Sequence, residues 1–424
     1  MTVEIRPFGT RCNIQCRYCY QEPRREAGLL AKSFDIEKIK EAVLAEGDSF
    51  SLFGGEPLLV RLTDLEELWS WGYQRFGRNT IQTNGTLIRD DHIELFKRYN
   101  VSVGISIDGP GELNDVRWAG RLEATRGMTA KTEIAIERLC REKIRTSIII
   151  TLHRGNAVGE RLDRLVEWVR GLDALGLIAF RLHLLESEND GIRNEYGLTT
   201  EENVAALTKF YALEKTLKTT GLDIFNDMRR LLMGDDRQAT CIWKGCDPYT
   251  TRAVRGVEGN GQRSNCGRTN KEGIEFVKSD TEGFERTLAL YHTPQEVGGC
   301  QGCRYFLMCR GNCPGTAMDG DWRNRTEHCG VWKASFAVIE EELMAKGKQP
   351  LSRSNDRHAI EAAMVAQWQI GRNPPLKEII DGLVTVDESY DWRAEFSRLR
   401  HETIAAVAAS RKAASDGSPG LSAP

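Results

Sequence analysis

Three cysteines near the start of the chain could bind a metal. Cys12, Cys16 and Cys19 follow a β-like run with the spacing C-x3-C-x2-C. Three thiolates on one compact loop can hold three irons of a [4Fe–4S] cluster and leave the fourth iron open for chemistry. The spacing alone also fits a zinc knuckle, or a ferredoxin-type motif whose fourth ligand lies elsewhere.

Eight further cysteines form a second group in the C-terminal half. They are Cys241, Cys246, Cys266, Cys300, Cys303, Cys309, Cys313 and Cys329. Eight thiolates suit two fully ligated [4Fe–4S] clusters, or two zinc sites of four cysteines each. The twelfth cysteine, Cys140, lies on a predicted amphipathic helix, where we expect a buried packing thiol. The cysteines therefore predict two separate metal regions.

The composition excludes several classes of protein. The 424 residues include 58 Lys and Arg against 61 Asp and Glu, a net charge of −3, so no general affinity for nucleic acid or anionic membranes is expected. No apolar run approaches the roughly 20 residues that span a bilayer, and the start lacks the apolar core of a signal peptide. We therefore expect a cytoplasmic protein, whose thiols serve as metal ligands and not as disulfides.

The elements that position the first cysteines are predicted by an alternation of strands and helices. Runs rich in Val, Ile and Phe predict six strands, at 3–7, 49–53, 80–83, 101–107, 146–152 and 178–184. Amphipathic helical patterns lie between them. This alternation predicts a parallel sheet, either curled into a partial barrel or open and doubly wound.

The length predicts two or three domains, which we place by composition. Residues 1–190 form the βα unit, and 191–240 a helical connection. Residues 241–335 are rich in Cys, Gly and Arg, as in a small domain held by metal in place of a large core. Helices are predicted within 336–409, including one at 391–409, and a disordered tail over 410–424.

Polar residues stand where several predicted strands end. In a parallel βα barrel these ends open on one face, so the residues are expected to converge beside the first cysteines. They are Glu56, Thr83, Asn84, Ser106, Asp108, Thr151 and His183. His153 and His183 lie near strand ends but fit structural histidines equally well.

These segments together resemble the radical S-adenosylmethionine (SAM) superfamily. The resemblance covers roughly residues 1–185 and implies an α/β fold with a partial (β/α)6 TIM-like barrel. By this resemblance the amino group of SAM is bound by the glycine-rich segment, with Glu56 facing its ammonium and Asn84 or Ser106 facing other polar atoms. The residues that carry the resemblance and line the implied SAM site are Tyr18, Gly54, Gly55, Glu56, Pro57, Thr83, Asn84, Ser106 and Asp108.

The resemblance also implies a reaction. One electron from the reduced cluster breaks a carbon–sulfur bond of SAM, and the 5′-deoxyadenosyl radical abstracts a hydrogen atom from the substrate. The cofactors carry this chemistry, while the protein positions them and excludes water. An electron donor such as flavodoxin or ferredoxin is an implied partner.

The second cysteine group resembles the SPASM domain of radical SAM enzymes that modify peptides and proteins. All seven signature positions match, and Cys241 corresponds to an additional upstream ligand. The implied inner cluster is bound by Cys241, Cys246, Cys266 and Cys313. The implied outer cluster is bound by Cys300, Cys303, Cys309 and Cys329. The chain would then hold three [4Fe–4S] clusters and continue, past this small domain, into a helical C-terminal extension.

These resemblances predict an oxidoreductase that matures a ribosomally made peptide by a C–C, ether or thioether crosslink. Gly267 stands where sulfatase-maturing relatives carry an Asp thought to be the base, so oxidation to formylglycine is not expected. The chain starts shortly before Cys12, so we expect no N-terminal peptide-recognition domain, and leader recognition by a separate leader-binding protein or the C-terminal helices. The alternatives are a SPASM dehydrogenase, a small-metabolite enzyme and a non-catalytic iron–sulfur electron-transfer protein.

Overall fold

The computed structural model divides the chain into two compact units, 1–376 and 377–424. It describes residues 2–21, 34–187, 189–251, 254–268, 279 and 281–384, with 397–398, 400–402 and 405 near the C-terminus. The predicted tail at 410–424 and most of the helix predicted at 391–409 lie outside the described residues. Because the first unit extends to residue 376, the finer division at 190, 240 and 335 stays a prediction.

A nine-stranded sheet forms the centre of the first unit. Its strands are β1 (Thr2–Arg6), β2 (Ser49–Leu52), β3 (Asn79–Thr83), β4 (Val101–Ser106), β5 (Thr146–Leu152), β6 (Ala179–Leu184), β7 (Gly221–Leu222), β8 (Arg255–Glu258) and β9 (Arg263–Ser264). The order is β7-β6-β5-β4-β3-β2-β1-β8-β9, and every pair is parallel except β8 with β9. The first six strands follow one another without the reversal of a doubly wound sheet. The partial (β/α)6 barrel is therefore the architecture.

Helices cover the strands and form the C-terminal region. They are α1 (Ile36–Glu46), α2 (Leu62–Phe76), α3 (Asp90–Arg98), α4 (Leu122–Arg141), α5 (Gly159–Ala174), α6 (Asp190–Tyr196), α7 (Thr200–Glu214), α8 (Asp223–Leu232), α9 (Glu285–His292), α10 (Phe306–Cys309), α11 (Cys329–Ala345), α12 (Arg357–Gln369) and α13 (Leu376–Val384). In α5, for example, Leu162, Leu165, Val166 and Val169 recur at helical spacing and are buried. In the described part of the chain, no helix is both long and apolar enough to cross a membrane.

The cysteine-rich segment takes part in the same sheet. Its strand β8 pairs in parallel with β1, with Val3 opposite Arg255 and Ile5 opposite Val257. The sequence did not predict β7, β8 or β9, because these short strands lie outside the alternation of strands and helices that located the short strand β2. The pairing places the second cysteine group beside the strand that leads into the first.

Candidate functional site

The loop that carries Cys12, Cys16 and Cys19 (the first cysteine group) follows β1. The backbone amides of Gln15 and Arg17 donate to the carbonyls of Trp118 (2.7 Å) and Val116 (2.9 Å). The Arg17 guanidinium also lies over the Trp118 ring, 4.6 Å from its centre. The three thiols border one cavity at the carboxyl ends of the strands, as predicted for a barrel site.

The segment with the glycine pair after β2 forms backbone hydrogen bonds with the start of the same loop. The amides of Gly55 and Glu56 donate to the carbonyls of Gly9 (3.0 Å) and Arg11 (2.9 Å). Gly54 has a φ of +112°, where a side chain is strained, and a Cβ on Gly55 would lie 1.9 Å from the Arg11 carbonyl oxygen. Both positions therefore require glycine for the backbone to approach the cysteine loop.

Glu56 is buried, and its carboxylate accepts three hydrogen bonds from this chain. The donors are the Thr83 hydroxyl (2.7 Å) and the backbone amides of Asn84 (2.8 Å) and Leu58 (3.0 Å). Burial raises the pKa of Glu56 above its usual value, although these hydrogen bonds oppose the shift. Glu56 and Pro57 are not among the residues that border the cavity. Glu56 therefore joins the ends of β2 and β3, and its contact with SAM stays a prediction.

Asn84 links the end of β3 to the first cysteine group. Its side-chain amide donates to Asn13 Oδ1 (2.7 Å) and lies 3.8 Å from Cys12 Sγ. Ser106, at the end of β4, accepts a hydrogen bond from the Gln82 side chain (2.8 Å). Asn84 and Ser106 both border the cavity, so the strand ends converge as predicted. Thr83, Gly54 and Gly55 border it too, and SAM contacts stay a prediction for all five.

A buried network connects Tyr18 with the end of β4. The Tyr18 hydroxyl donates to Asp108 Oδ2 (2.6 Å) and accepts from Arg117 (2.8 Å), while Asp108 Oδ1 accepts from the backbone amide of Thr151 (3.0 Å). Burial acts to raise the pKa of Asp108, but the neighbouring His153 ring and the charge of Arg117 hold that pKa below its usual value. Tyr18 and Arg117 border the cavity, whereas Asp108 does not. Asp108 thus holds these two side chains in position without bordering the cavity itself.

A second cavity, bordered by Cys241, Cys266 and Cys313, lies beside the first. Both cavities are lined by Tyr20, Phe53, Ile149, His183, Leu184 and Arg268. Arg268 forms a buried ion pair with Glu186 at this junction. The first cysteine group and part of the second therefore border two neighbouring cavities that share these six residues.

The eight cysteines of the second group lie in two sets. Cys246 does not border the second cavity, but burial and the charge of Cys246 both raise the pKa of Cys241, and we call these four residues the inner cysteine group (Cys241, Cys246, Cys266 and Cys313). A third cavity is bordered by the outer cysteine group (Cys300, Cys303, Cys309 and Cys329). Trp332 borders both cavities. The sets match the crossed grouping that the resemblance implied, and their role as cluster ligands stays a prediction.

Comparisons with known proteins cover most of the chain. Residues 7–169 match the Radical SAM superfamily. A cysteine-type anaerobic sulfatase-maturating enzyme of Clostridium novyi (strain NT) is 24% identical over 340 residues, or 74% of this chain and 87% of that enzyme. An uncharacterised protein of Synechocystis is 30% identical over 348 residues, or 74% of this chain and 83% of that protein. This chain belongs to the radical SAM superfamily.

A solved structure shows the same fold. Native anSMEcpe with bound AdoMet and the Kp18Cys peptide superposes with a TM-score of 0.62 at 18% identity, covering 81% of this chain and 98% of that one. The radical SAM fold is an enzyme fold, and membership implies SAM and a [4Fe–4S] cluster as cofactors.

The cysteines of this radical SAM enzyme fit iron–sulfur groups by their chemistry. In the described ranges, no three His, Cys, Asp or Glu side chains are arranged to hold a single metal ion. Burial, followed by the charges of neighbouring thiolates, raises the pKa of Cys16, Cys241 and Cys300 to about 12. Thiols packed in this way become thiolates when a cationic centre stabilises them. All three cysteine groups therefore suit a metal–sulfur centre.

Some residues of the site carried no recognisable signal in the sequence. Arg117, Glu186 and Arg268 border the first cavity outside any motif. Of these three, only Arg268 lies close in sequence to a predicted ligand, Cys266. Cys140, by contrast, is buried on α4, as a packing thiol should be. The cations and carboxylates at the cavity junction could be found only from the structure.

Proposed function

We propose that this radical SAM enzyme removes a hydrogen atom from a ribosomally made peptide and installs an oxidative crosslink, a C–C, ether or thioether bond. One observation carries the proposal: the cavity at the first cysteine group and the cavity at the inner cysteine group are neighbours that share six lining residues. A substrate bound at their junction would lie between the two groups. Hydrogen abstraction at one end and removal of an electron at the other together make an oxidative bond.

The cofactors would be held by the cysteine groups, with SAM beside the first. A [4Fe–4S] cluster with bound SAM supplies the 5′-deoxyadenosyl radical, which removes hydrogen from carbon. The chain itself fixes the position of the site, since Glu56 holds the backbone of Asn84 and Asn84 holds the Cys12 loop. Apolar side chains such as Phe53, Ile149 and Leu184 exclude water from the space where a radical would form.

The relatives support a peptide as the substrate class. The Clostridium novyi relative is a sulfatase-maturating enzyme by name, and the superposed anSMEcpe structure holds the Kp18Cys peptide. We propose a precursor peptide for this chain as well, presented by a separate leader-binding protein. An electron donor such as flavodoxin or ferredoxin would reduce the first cluster, and the reducing cytoplasm is the compartment that suits these thiols.

Oxidation of a sulfatase cysteine or serine is the second candidate, because the Clostridium novyi relative is matched over 87% of its length. By resemblance, such enzymes carry an aspartate base directly after the cysteine that corresponds to Cys266. Here that residue is Gly267, and a Cβ on it would lie 3.0 Å from the Arg6 guanidinium and 3.1 Å from the Tyr20 ring. The position lacks the carboxylate, and its neighbours would have to shift to admit one. Crosslinking is therefore favoured.

Co-expression with the short open reading frames beside the gene tests the proposal. We expect one encoded peptide to lose two hydrogens and to fragment as two joined residues in tandem mass spectrometry. The peptide should stay unmodified with a Cys19→Ala variant. An aldehyde at a single cysteine or serine would instead support the second candidate, and an absence of any modified peptide would count against both.

A further inference from the structure

His183 stands at the junction of the two cavities. It lies on β6, next to the last residue of the strand and opposite Thr151 of β5, and its half-buried side chain borders both cavities. A substrate that extends from the first cysteine group to the inner group must pass this ring. The other nearby strand-end histidine, His153, borders neither cavity.

The two histidines also differ in their hydrogen bonds. The His153 ring is fully buried, accepts a hydrogen bond from the Gly155 amide at Nδ1 (3.0 Å) and has Nε2 3.6 Å from Asp108 Oδ2. Among the described residues, none forms a hydrogen bond with the His183 ring. His153 is thus a structural residue, whereas the nitrogens of His183 are available to a ligand in the cavity.

The surroundings of His183 keep its ring neutral. Burial, followed by the positive charges of Arg268 and Arg181, lowers the pKa of His183 well below its usual range. Arg268 is paired with Glu186 and Arg181 with Asp223, while a third carboxylate, Glu4, also borders the second cavity. The His183 ring is therefore neutral at pH 7, which is the form that can accept a proton, and the same burial and charges make it a weaker base than an ordinary imidazole.

We propose that His183 is the general base that accepts the proton released when the substrate radical is oxidised. This rests on the proposed function and assigns a base to a chain that has Gly267 in place of the aspartate. The substrate class is a peptide with a protic partner group, X–H, where X is oxygen, sulfur, nitrogen or an activated carbon.

The step balances as follows. The C–H bond breaks first, and its hydrogen atom leaves with 5′-deoxyadenosine. The X–H bond then breaks and its proton passes to an imidazole nitrogen of His183, while X forms a bond to the carbon radical. One electron remains; an oxidised [4Fe–4S] centre held by the inner cysteine group would accept it, and Cys241, Cys266 and Cys313 of that group border the same cavity as His183. The peptide has then lost two hydrogens.

The first arm of the test needs no substrate. The anaerobic holoenzyme is treated with diethyl pyrocarbonate at pH 7, a reagent that acylates accessible neutral imidazoles, and tryptic peptide 182–193 reports on His183 alone. We expect acylation of His183 and of the exposed His292, and none of His153. An unmodified His183 beside a modified His292 would overturn the proposal.

The second arm uses the peptide identified by co-expression and compares His183→Asn with His292→Asn. The measured quantity is crosslinked peptide formed per 5′-deoxyadenosine released. We expect this ratio to fall roughly 100-fold in His183→Asn, the usual scale of general base catalysis, and to stay at the wild-type value in His292→Asn. In wild-type enzyme, the amount of crosslinked peptide per 5′-deoxyadenosine should be highest near pH 7. It should decrease at acidic pH, where the His183 ring becomes protonated.

The outcomes separate this inference from the proposed function. If wild-type enzyme crosslinks the peptide and His183→Asn does so with an unchanged ratio, His183 is not the base although the proposed function stands. If no peptide is crosslinked by wild-type enzyme, the proposed function fails, and His183 as the base of that reaction fails with it. In that case the acylation arm reports only whether the ring is open and neutral.

Discussion

A variant with Cys12, Cys16 and Cys19 all changed to alanine is expected to form no 5′-deoxyadenosine and to retain about eight irons per chain. The first cysteine group borders a cavity of its own, whereas the outer group lies at a separate cavity, with the inner group between them. Loss of the first three thiols should therefore remove one of the three clusters that we propose. Iron and sulfide analysis of anaerobically reconstituted protein, with chromatography of the SAM products, measures both effects.

Cys140→Ala is the matched control for this variant. Cys140 is a buried thiol on α4, remote in sequence from both cysteine groups. The Cys140→Ala variant should retain about twelve irons per chain and cleave SAM as the wild-type enzyme does. Near-complete loss of iron from the triple variant would show that the three centres depend on one another, contrary to the separate cavities.

The second large effect concerns which of the eight C-terminal cysteines share a cluster. In the crossed grouping, one cysteine of the inner group lies within the sequence span of the outer group. Cys241→Ala combined with Cys313→Ala removes two ligands of one group, so about four irons should be lost. Cys313→Ala combined with Cys329→Ala removes one ligand from each group and leaves three thiolates in each, the number that holds a cluster at the first cysteine group, so less iron should be lost. The reason is that Cys313 borders the second cavity with Cys241, while Cys329 borders the third.

If the cysteines were grouped into clusters by sequence order, a third double variant would lose a different amount of iron. If Cys309 and Cys313, which are near neighbours in sequence, shared a cluster, their double alanine variant would lose about four irons. The crossed grouping predicts a smaller loss from that pair, because each group keeps three thiolates. Parallel circular dichroism spectra would show that the variants remain folded, and a loss of four would contradict the grouping.

Much of the barrel could be predicted because its strands are long enough to show a pattern. The runs around Ile5, Phe50, Ile81, Val103, Ile148 and Phe180 each became a strand with ends within a residue of the prediction. The unbroken strand order then decided between a barrel and a doubly wound sheet, a choice that periodicity alone left open. Strand β8 escaped prediction because four residues gain their stability from pairing with β1.

The chemistry of the site was predictable only in part. The cysteine spacing and the strand-end residues pointed to the right face of the barrel, and Asn84 and Ser106 do border the cavity. The sequence could not show that Glu56 is occupied by three donors of its own chain. Nor could it separate His183 from His153, since both follow strands and differ only in the contacts that tertiary packing gives them.

The central claim is that a peptide bound at the first cavity gives up a hydrogen atom to the radical formed from SAM. The direct test supplies the reconstituted enzyme with dithionite, SAM and the candidate peptide made with deuterium on its carbon-bound positions. We predict one deuterium in the 5′-deoxyadenosine, detected by mass spectrometry, together with a crosslinked peptide. Unlabelled 5′-deoxyadenosine from enzyme with all its clusters loaded, at a rate unchanged by the peptide, would contradict the account.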